Sequence, residues 1–222
     1  MKRFDILTIF PEIFDSYFGE SILKRAKESG AIEIGTHNLR DYTENKHRNV
    51  DDTPYGGGAG MVMRVEPIYN CVNSVKNSSK ISNQSLVRTI LFSAKGKRYT
   101  QADAERLSKY DQLILICGRY EGVDERVAQN IADEEISVGD FVLTGGEIPA
   151  MLVVDSVTRL LSGVLGNVES AVYESHSSDG YLEHGQYSKP EEFEGWKVPE
   201  VLLSGNHKEI EKWRNENSKD GF

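Results

Sequence analysis

Cysteine is scarce: the 222 residues hold two, Cys71 and Cys117, too far apart in sequence to form a CxxC metal or redox motif. A disulfide framework is excluded, and a reducing compartment is expected. Long apolar runs are also missing. The run over residues 4–10 is interrupted by Asp5 and is too short for a signal segment, and no window approaches a membrane span. The expected location is the cytoplasm, with no membrane partner. Positive charge is in deficit, with 26 Lys and Arg against 35 Asp and Glu and a net charge of −9. That balance argues against a nonspecific polyanion binder while allowing a nucleic acid met by local patches. Neither GxGxxG nor GxxxxGK[ST] occurs, so the usual dinucleotide and P-loop sites are excluded. The five histidines (His37, His47, His176, His184 and His207) show no metal-ligand spacing, and no metal site is assigned.

What remains is a globular composition, 38% hydrophobic and 27% charged, enough for one sizeable core or two modest ones. Residues 3–10 read as a strand. From residue 11, Ile13, Phe14, Tyr17, Phe18, Ile22, Leu23 and Ala26 recur at helical spacing until Gly30, which predicts one helix. A second strand is expected at 32–35, then a long polar stretch over 36–60, a length that is usually functional or disordered. After a helix near 65–75 the pattern turns regular: strand 86–93, helix 100–109, strand 112–117, helix 124–131, strand 135–138 and helix 146–161. The last helix presents an expected apolar face through Leu152, Val153, Val157 and Leu160. Such alternation predicts an α/β fold with a parallel, helix-covered sheet. The first domain is expected to span 1–161, followed by a flexible linker over 162–188, rich in Gly, Ser and charge, and a small domain over 189–222. The clearest element of the small domain is a helix opened by Asn206, with Glu209 at capping-box spacing and Ile210 and Trp213 on one face.

Charge and glycine cluster at suggestive places. Between Glu121 and Glu147 stand eight acids against Arg126 alone, so this stretch carries −7 of the −9 and would suit a cationic ligand. The run Tyr55-Gly56-Gly57-Gly58-Ala59-Gly60-Met61 reads equally as a flexible tether or as backbone open to a ligand. Two loops, 118–126 (GRYEGVDER) and 137–147 (SVGDFVLTGGE), each follow a strand at the C-terminal edge of the expected sheet, where open α/β folds bind ligands. Either loop alone could be a structural turn; two on one edge favour a site. Lys95-Gly96-Lys97-Arg98 follows another strand end and reads as solvated charge or as a phosphate contact.

The residues carry more than spacing. Asn45-Lys46-His47-Arg48 with Val50-Asp51-Asp52, the YGGGAGM run, GRYEGVDER, SVGDFVLTGGEIPAM, and LLSGNH with Lys212-Trp213-Arg214 follow one another in an order that resembles the bacterial tRNA (guanine-N1)-methyltransferase family over nearly the whole chain. The resemblance implies a SPOUT-class fold: a parallel-sheet α/β first domain with a C-terminal trefoil knot, a linker, and a small helical tRNA-binding domain. It implies a homodimer that binds tRNA across both subunits and transfers a methyl group from S-adenosylmethionine to N1 of guanine at nucleotide 37, beside the anticodon.

Carried over residue by residue, the resemblance puts the cofactor against Leu91, Phe92 and Ser93, then Gly118, Tyr120, Glu121 and Gly122, then Ser137, Val138, Gly139, Phe141, Leu143, Gly145, Gly146 and Pro149. Arg159 falls on an arginine that stabilises charge on the guanine O6, and Ser170 on a linker serine. The family places a catalytic aspartate before Ser-Phe, whereas here the tetrapeptide reads Glu174-Ser175-His176-Ser177, with one apparent extra residue before Gly180. The implied base is therefore Glu174, with Asp179 as runner-up. The sequence ends at Phe222, short of a basic extension present in many members, which bears on tRNA affinity more than on chemistry. The altered linker keeps two other readings open: a catalytically impaired tRNA-binding protein of the same fold, and a SPOUT methyltransferase with another RNA target.

Overall fold

The computed structural model describes residues 1–78, 86–166, 174–178 and 180–218, and the chain divides into two units, Met1–Gly166 and Asn167–Phe222. In the first unit, β1 (Lys2–Thr8) alternates Phe4 and Ile6 into one apolar cluster with Leu7 in the other. Two helices stand where one is expected over 11–30. α1 (Ile13–Phe18) ends at Gly19, and α2 (Ser21–Glu28) begins after Glu20, whose extended backbone (φ −126°, ψ 160°) breaks the helical path. β2 (Ile32–Asn38) runs longer than its apolar residues suggest because its backbone pairs with β1 through Asn38.

A 3₁₀ turn over Leu39–Tyr42 follows, and β3 (Asp51–Asp52) pairs antiparallel with β4 (Val62–Met63). The polar stretch is thus closed at its base by a two-residue ladder. Then come α3 (Val65–Ser78), β5 (Val87–Arg98), α4 (Gln101–Ser108), β6 (Gln112–Ile116), α5 (Glu125–Asn130), β7 (Glu134–Ser137) and α6 (Glu147–Thr158). The strands form a parallel sheet in the order β2-β1-β6-β5-β7, with β6 buried along its whole length.

Helices cover both faces, as a parallel sheet requires. α1, α2, α4 and α6 pack on the Phe4 and Ile6 side, while α3 and α5 pack on the Leu7 side. α6 buries Ala150, Val153, Val154 and Val157, whereas Leu152 is exposed. The expected apolar face is therefore rotated: the helix is apolar nearly all round, and periodicity within it does not reveal which side meets the sheet. β5 extends past the expected Ser93 because it meets β7 twice; Phe92 and Lys97 both pair with Ile136, and residues between them bulge outward. A Cβ on Gly96 would lie 2.7 Å from the backbone of Glu135 and Ile136, so this return requires glycine.

The second unit contains a small hairpin of β8 (Glu192–Phe193) and β9 (Trp196–Lys197), then α7 (Glu200–Leu203) and α8 (His207–Asn217). Asn206 caps α8, its side chain accepting from Glu209 N at 3.5 Å. Neither helix buries a residue fully.

Asp5 is fully buried in the middle of β1. Its carboxylate accepts from Arg3 Nε at 2.8 Å and Gln112 Nε2 at 2.7 Å, and lies 2.7 Å from His37 Nε2, which ties β1 to β2 and β6. Burial alone would raise its pKa, but the bonds from His37, Arg3 and Gln112 outweigh it and hold the carboxyl below its ordinary value. Asp5→Ala removes the acceptor that Gln112 and His37 face and leaves Arg3 only Glu33, and is predicted to cost about 3 kcal/mol in urea unfolding at pH 7. Because the folded pKa is lowered, the carboxylate's contribution is complete above the ordinary value of 3.8 and fades as pH falls through the folded pKa. The gap between wild type and Asp5→Ala should therefore narrow at acid pH; equal midpoints at pH 7 would defeat the assignment.

Candidate active site

β6 ends at Ile116 with Cys117 and Gly118 directly after it, at the C-terminal edge of the sheet. Cys117 is fully buried, and burial pushes its thiol well above the usual range, which leaves it unreactive. The chain then turns through two left-handed residues, Tyr120 (φ 62°) and Gly122 (φ 138°), before Asp124 caps α5 by accepting from Arg126 N at 3.0 Å. This loop is laced to the glycine-rich run. Glu121 N donates to Met61 O at 3.0 Å, Met63 N to Gly122 O at 2.9 Å, and Asp124 N to Met63 O at 2.9 Å. The run is thus anchored at Met61–Met63, while Gly56, Gly57 and Gly58 remain in the open with positive φ.

The second loop arrives from β7. Gly146 N donates to Gly118 O at 2.9 Å, and a Cβ on Gly146 would lie 2.6 Å from Cys117 Cα, so only glycine admits this approach. Glu147, the first residue of α6, is buried and accepts from Thr8 Oγ1 at 2.8 Å. Its other oxygen lies 2.9 Å from Arg119 Nε, close enough to pair as charges although the N–H is not aligned for a hydrogen bond. Arg119 also donates to Thr144 O at 3.2 Å and covers the Phe10 ring at 4.9 Å. One arginine therefore joins both loops and the end of β1.

Between the loops lies an open cavity of about 450 Å³. Its walls include every residue of the implied cofactor set except Gly139, whose N–H donates to Ser137 Oγ at 3.3 Å. Sequence reasoning missed Ala94, Lys95, Arg119, Glu125, Ala128, Glu135 and Thr144, which also line it. Several of these reach the cavity through the β5 bulge and the first turns of α5, which no strand or helix period announces. Leu91, Phe92, Ile136, Leu143 and Pro149 supply apolar walls, and Gly118, Gly145 and Gly146 bring backbone to the surface. Among the described residues, Glu135 Oε1 is buried in this wall without a hydrogen-bond partner, an acceptor that a ligand's donor would satisfy.

The acidic block is mostly neutralised in the fold. Glu134 pairs with Arg88 and Arg106, Asp140 with Arg98, Glu125 with Lys95, Asp124 with Arg126, and Glu147 with Arg119. Of the remaining three acids, Asp133 accepts from Thr89 N at 2.7 Å, which leaves Glu121 and Glu135 in the cavity wall. The same pairs, with Lys97 to Asp103, occupy the basic run at 95–98. Arg159 caps α6 through its backbone in the first unit. Glu174 stands in a short turn of the second unit, its carbonyl accepting from Ser177 N at 3.0 Å. Ser170 and Asp179 lie outside the described residues. Among the described residues, no group of three or more His, Cys, Asp or Glu is placed to hold a metal ion.

Comparison with known proteins agrees with this geometry. Residues 1–221 match the family described as tRNA (Guanine-1)-methyltransferase TrmD. A tRNA (guanine-N(1)-)-methyltransferase of Clostridioides difficile (strain 630) is 52% identical over 97% of this chain and 92% of its own length. One from Geotalea uraniireducens (strain Rf4) is 55% identical over 97% of this chain and 85% of its own. The crystal structure of the tRNA (m1G37) methyltransferase from Aquifex aeolicus is similar at a TM-score of 0.78 and 42% identity, covering 96% of this chain and 87% of that one. With its two glycine loops closing one cavity at the sheet edge, the chain belongs to the tRNA (guanine-N1)-methyltransferase family.

Proposed function

We propose that this protein transfers a methyl group from S-adenosylmethionine to N1 of guanine at nucleotide 37 of tRNA. The observation that carries the reading is the convergence of the implied cofactor residues on one cavity in a chain of this family. The cavity fits the cofactor: apolar walls flank a flat ring, glycine backbone offers hydrogen bonds to its edge, and the unpartnered Glu135 oxygen accepts from a donor. S-adenosylmethionine would supply the methyl as an electrophilic carbon on its sulfonium. Glu174 takes the proton from guanine N1 as N1 accepts the methyl, the carbon–sulfur bond breaking with its electron pair left on a neutral thioether sulfur, and Arg159 stabilises the negative charge that gathers on O6.

The trefoil knot, the helical tRNA-binding role of the second unit, the homodimer and the cytoplasmic location belong to the same proposal. The doubled approach of β5 to β7 supports the knot. Ile148, Leu152, Asp155 and Arg159 fall at helical spacing on one side of α6, and Ile148 (58%) and Leu152 (40%) are exposed. α1 adds exposed Ile13 and Tyr17, the latter bonded to Asp155 through its hydroxyl. An apolar stripe leading to the proposed catalytic arginine favours a second copy of the chain on this face, completing the site. Among the described residues no helix is long and apolar enough to cross a membrane.

The test is methyl transfer to an unmodified tRNA transcript, with the product nucleoside identified by mass and the position checked by replacing guanine 37 with adenine. Expected is 1-methylguanosine at that position alone; transfer elsewhere, or none, overturns the reading. Glu174→Gln is predicted to lower the single-turnover rate by about 10² to 10⁴ with cofactor binding nearly unchanged, and Asp179→Asn by clearly less. Arg159→Ala should cost about 10² to 10³ in the same assay. Mixed dimers carrying Arg159→Ala in one subunit and Glu174→Gln in the other should regain activity; a verified heterodimer without recovery rules out assembly of the site from two chains.

A further inference from the structure

A second cavity, of about 240 Å³, lies wholly within the second unit, and neither Glu174 nor Arg159 lines it. Leu202 and Ile210 contribute to its apolar part, Trp213 and Tyr187 form its aromatic walls, and its charged lining is Lys189 and Arg214 with one carboxylate, Glu191, so the balance is net positive. The tryptophan is held in place: His184 and Tyr187 meet it edge-on, with ring centroids at 5.8 and 6.2 Å. It is nevertheless only half-buried, and α7 and α8 bury no residue fully, so this apolar surface is left open. Among the described residues neither Lys189 nor Arg214 is in an ion pair, unlike the basic run at 95–98.

We infer that this cavity holds one unstacked nucleobase of the tRNA, with an adjacent phosphate on Lys189 and Arg214; the inference rests on the tRNA reading above. The volume is below the range of about 300–1,000 Å³ typical of drug-sized ligands, which suits a single ring system. Fixed aromatic rings beside an arginine are the means by which proteins take splayed-out RNA bases, since every base presents a π-face. Charge argues the same way. A chain of net charge −9 repels a polyanion at long range, so its hold on RNA must come from local contacts, and stacking adds affinity that salt does not screen.

The protein has two tryptophans, so Trp196→Phe leaves Trp213 as the sole tryptophan, read by excitation at wavelengths that tyrosine does not absorb. Titrating that variant with unmodified tRNA transcript should quench the Trp213 emission, whereas S-adenosylmethionine alone should not. Trp213→Leu should weaken tRNA binding by about 5- to 150-fold, the loss expected for one base–aromatic stack, and Trp213→Phe should keep most of it. Lys189→Ala should lower the slope of log affinity against log salt by about one. Unchanged Trp213 emission at saturating tRNA, or a folded Trp213→Leu protein with wild-type affinity, overturns the inference. If Trp213→Leu does not fold, the emission titration decides, since it leaves Trp213 in place. Methylation of guanine 37 with a silent Trp213 sinks this site alone; quenching by tRNA without methyl transfer sinks the proposed activity and leaves the site standing.

Discussion

Gly146 N bonds to Gly118 O at 2.9 Å, and the space beside that bond is too small for a methyl group on Gly146. This joint between the end of β6 and the start of α6 brings the two loops, through glycines nearly thirty residues apart, to one edge of the sheet. Glu147 follows at once and reaches Thr8 at the end of β1 and Arg119 in the other loop. A buried carboxylate needs partners, and these come from two other segments, so burial of one charge fixes where all three stand. Asp5 acts in the same way lower in the sheet, joining β1 to β2 and β6 through Arg3, His37 and Gln112.

The cavity is therefore a consequence of packing more than of loop composition. Its apolar walls extend the core strands β5 and β7, and its polar edge comes from glycine backbone and from Glu135. The electrostatics follow the same logic. An excess of acid along the sequence is nearly cancelled by arginines and lysines from β5, α4 and the loops. Only the acids without such partners keep their reach toward a ligand, and in the wall these are Glu121 and Glu135. Exposed pairs such as Lys95 with Glu125 contribute little to stability, but they remove charge from the rim of the site.

Much was legible in the residues themselves. The alternation of apolar runs and amphipathic helices determined a parallel, helix-covered sheet, because backbone pairing and side-chain period are local properties that each segment carries with it. The cap of α8 at Asn206 was readable for the same reason. The glycine loops and the family resemblance located the cavity residues, since a motif keeps its spacing whatever surrounds it. Tertiary structure alone decided which face of α6 is buried, because a helix apolar on most sides has no preferred face until a sheet is offered to it. It also decided the return of β5 to β7 past Gly96, the anchoring of Met61 and Met63 against the 118–124 loop, and the pairing that neutralises the acidic block. Each of these depends on atoms far apart in sequence meeting within a few ångströms, and that proximity is a property of the packed chain, absent from any one stretch of it.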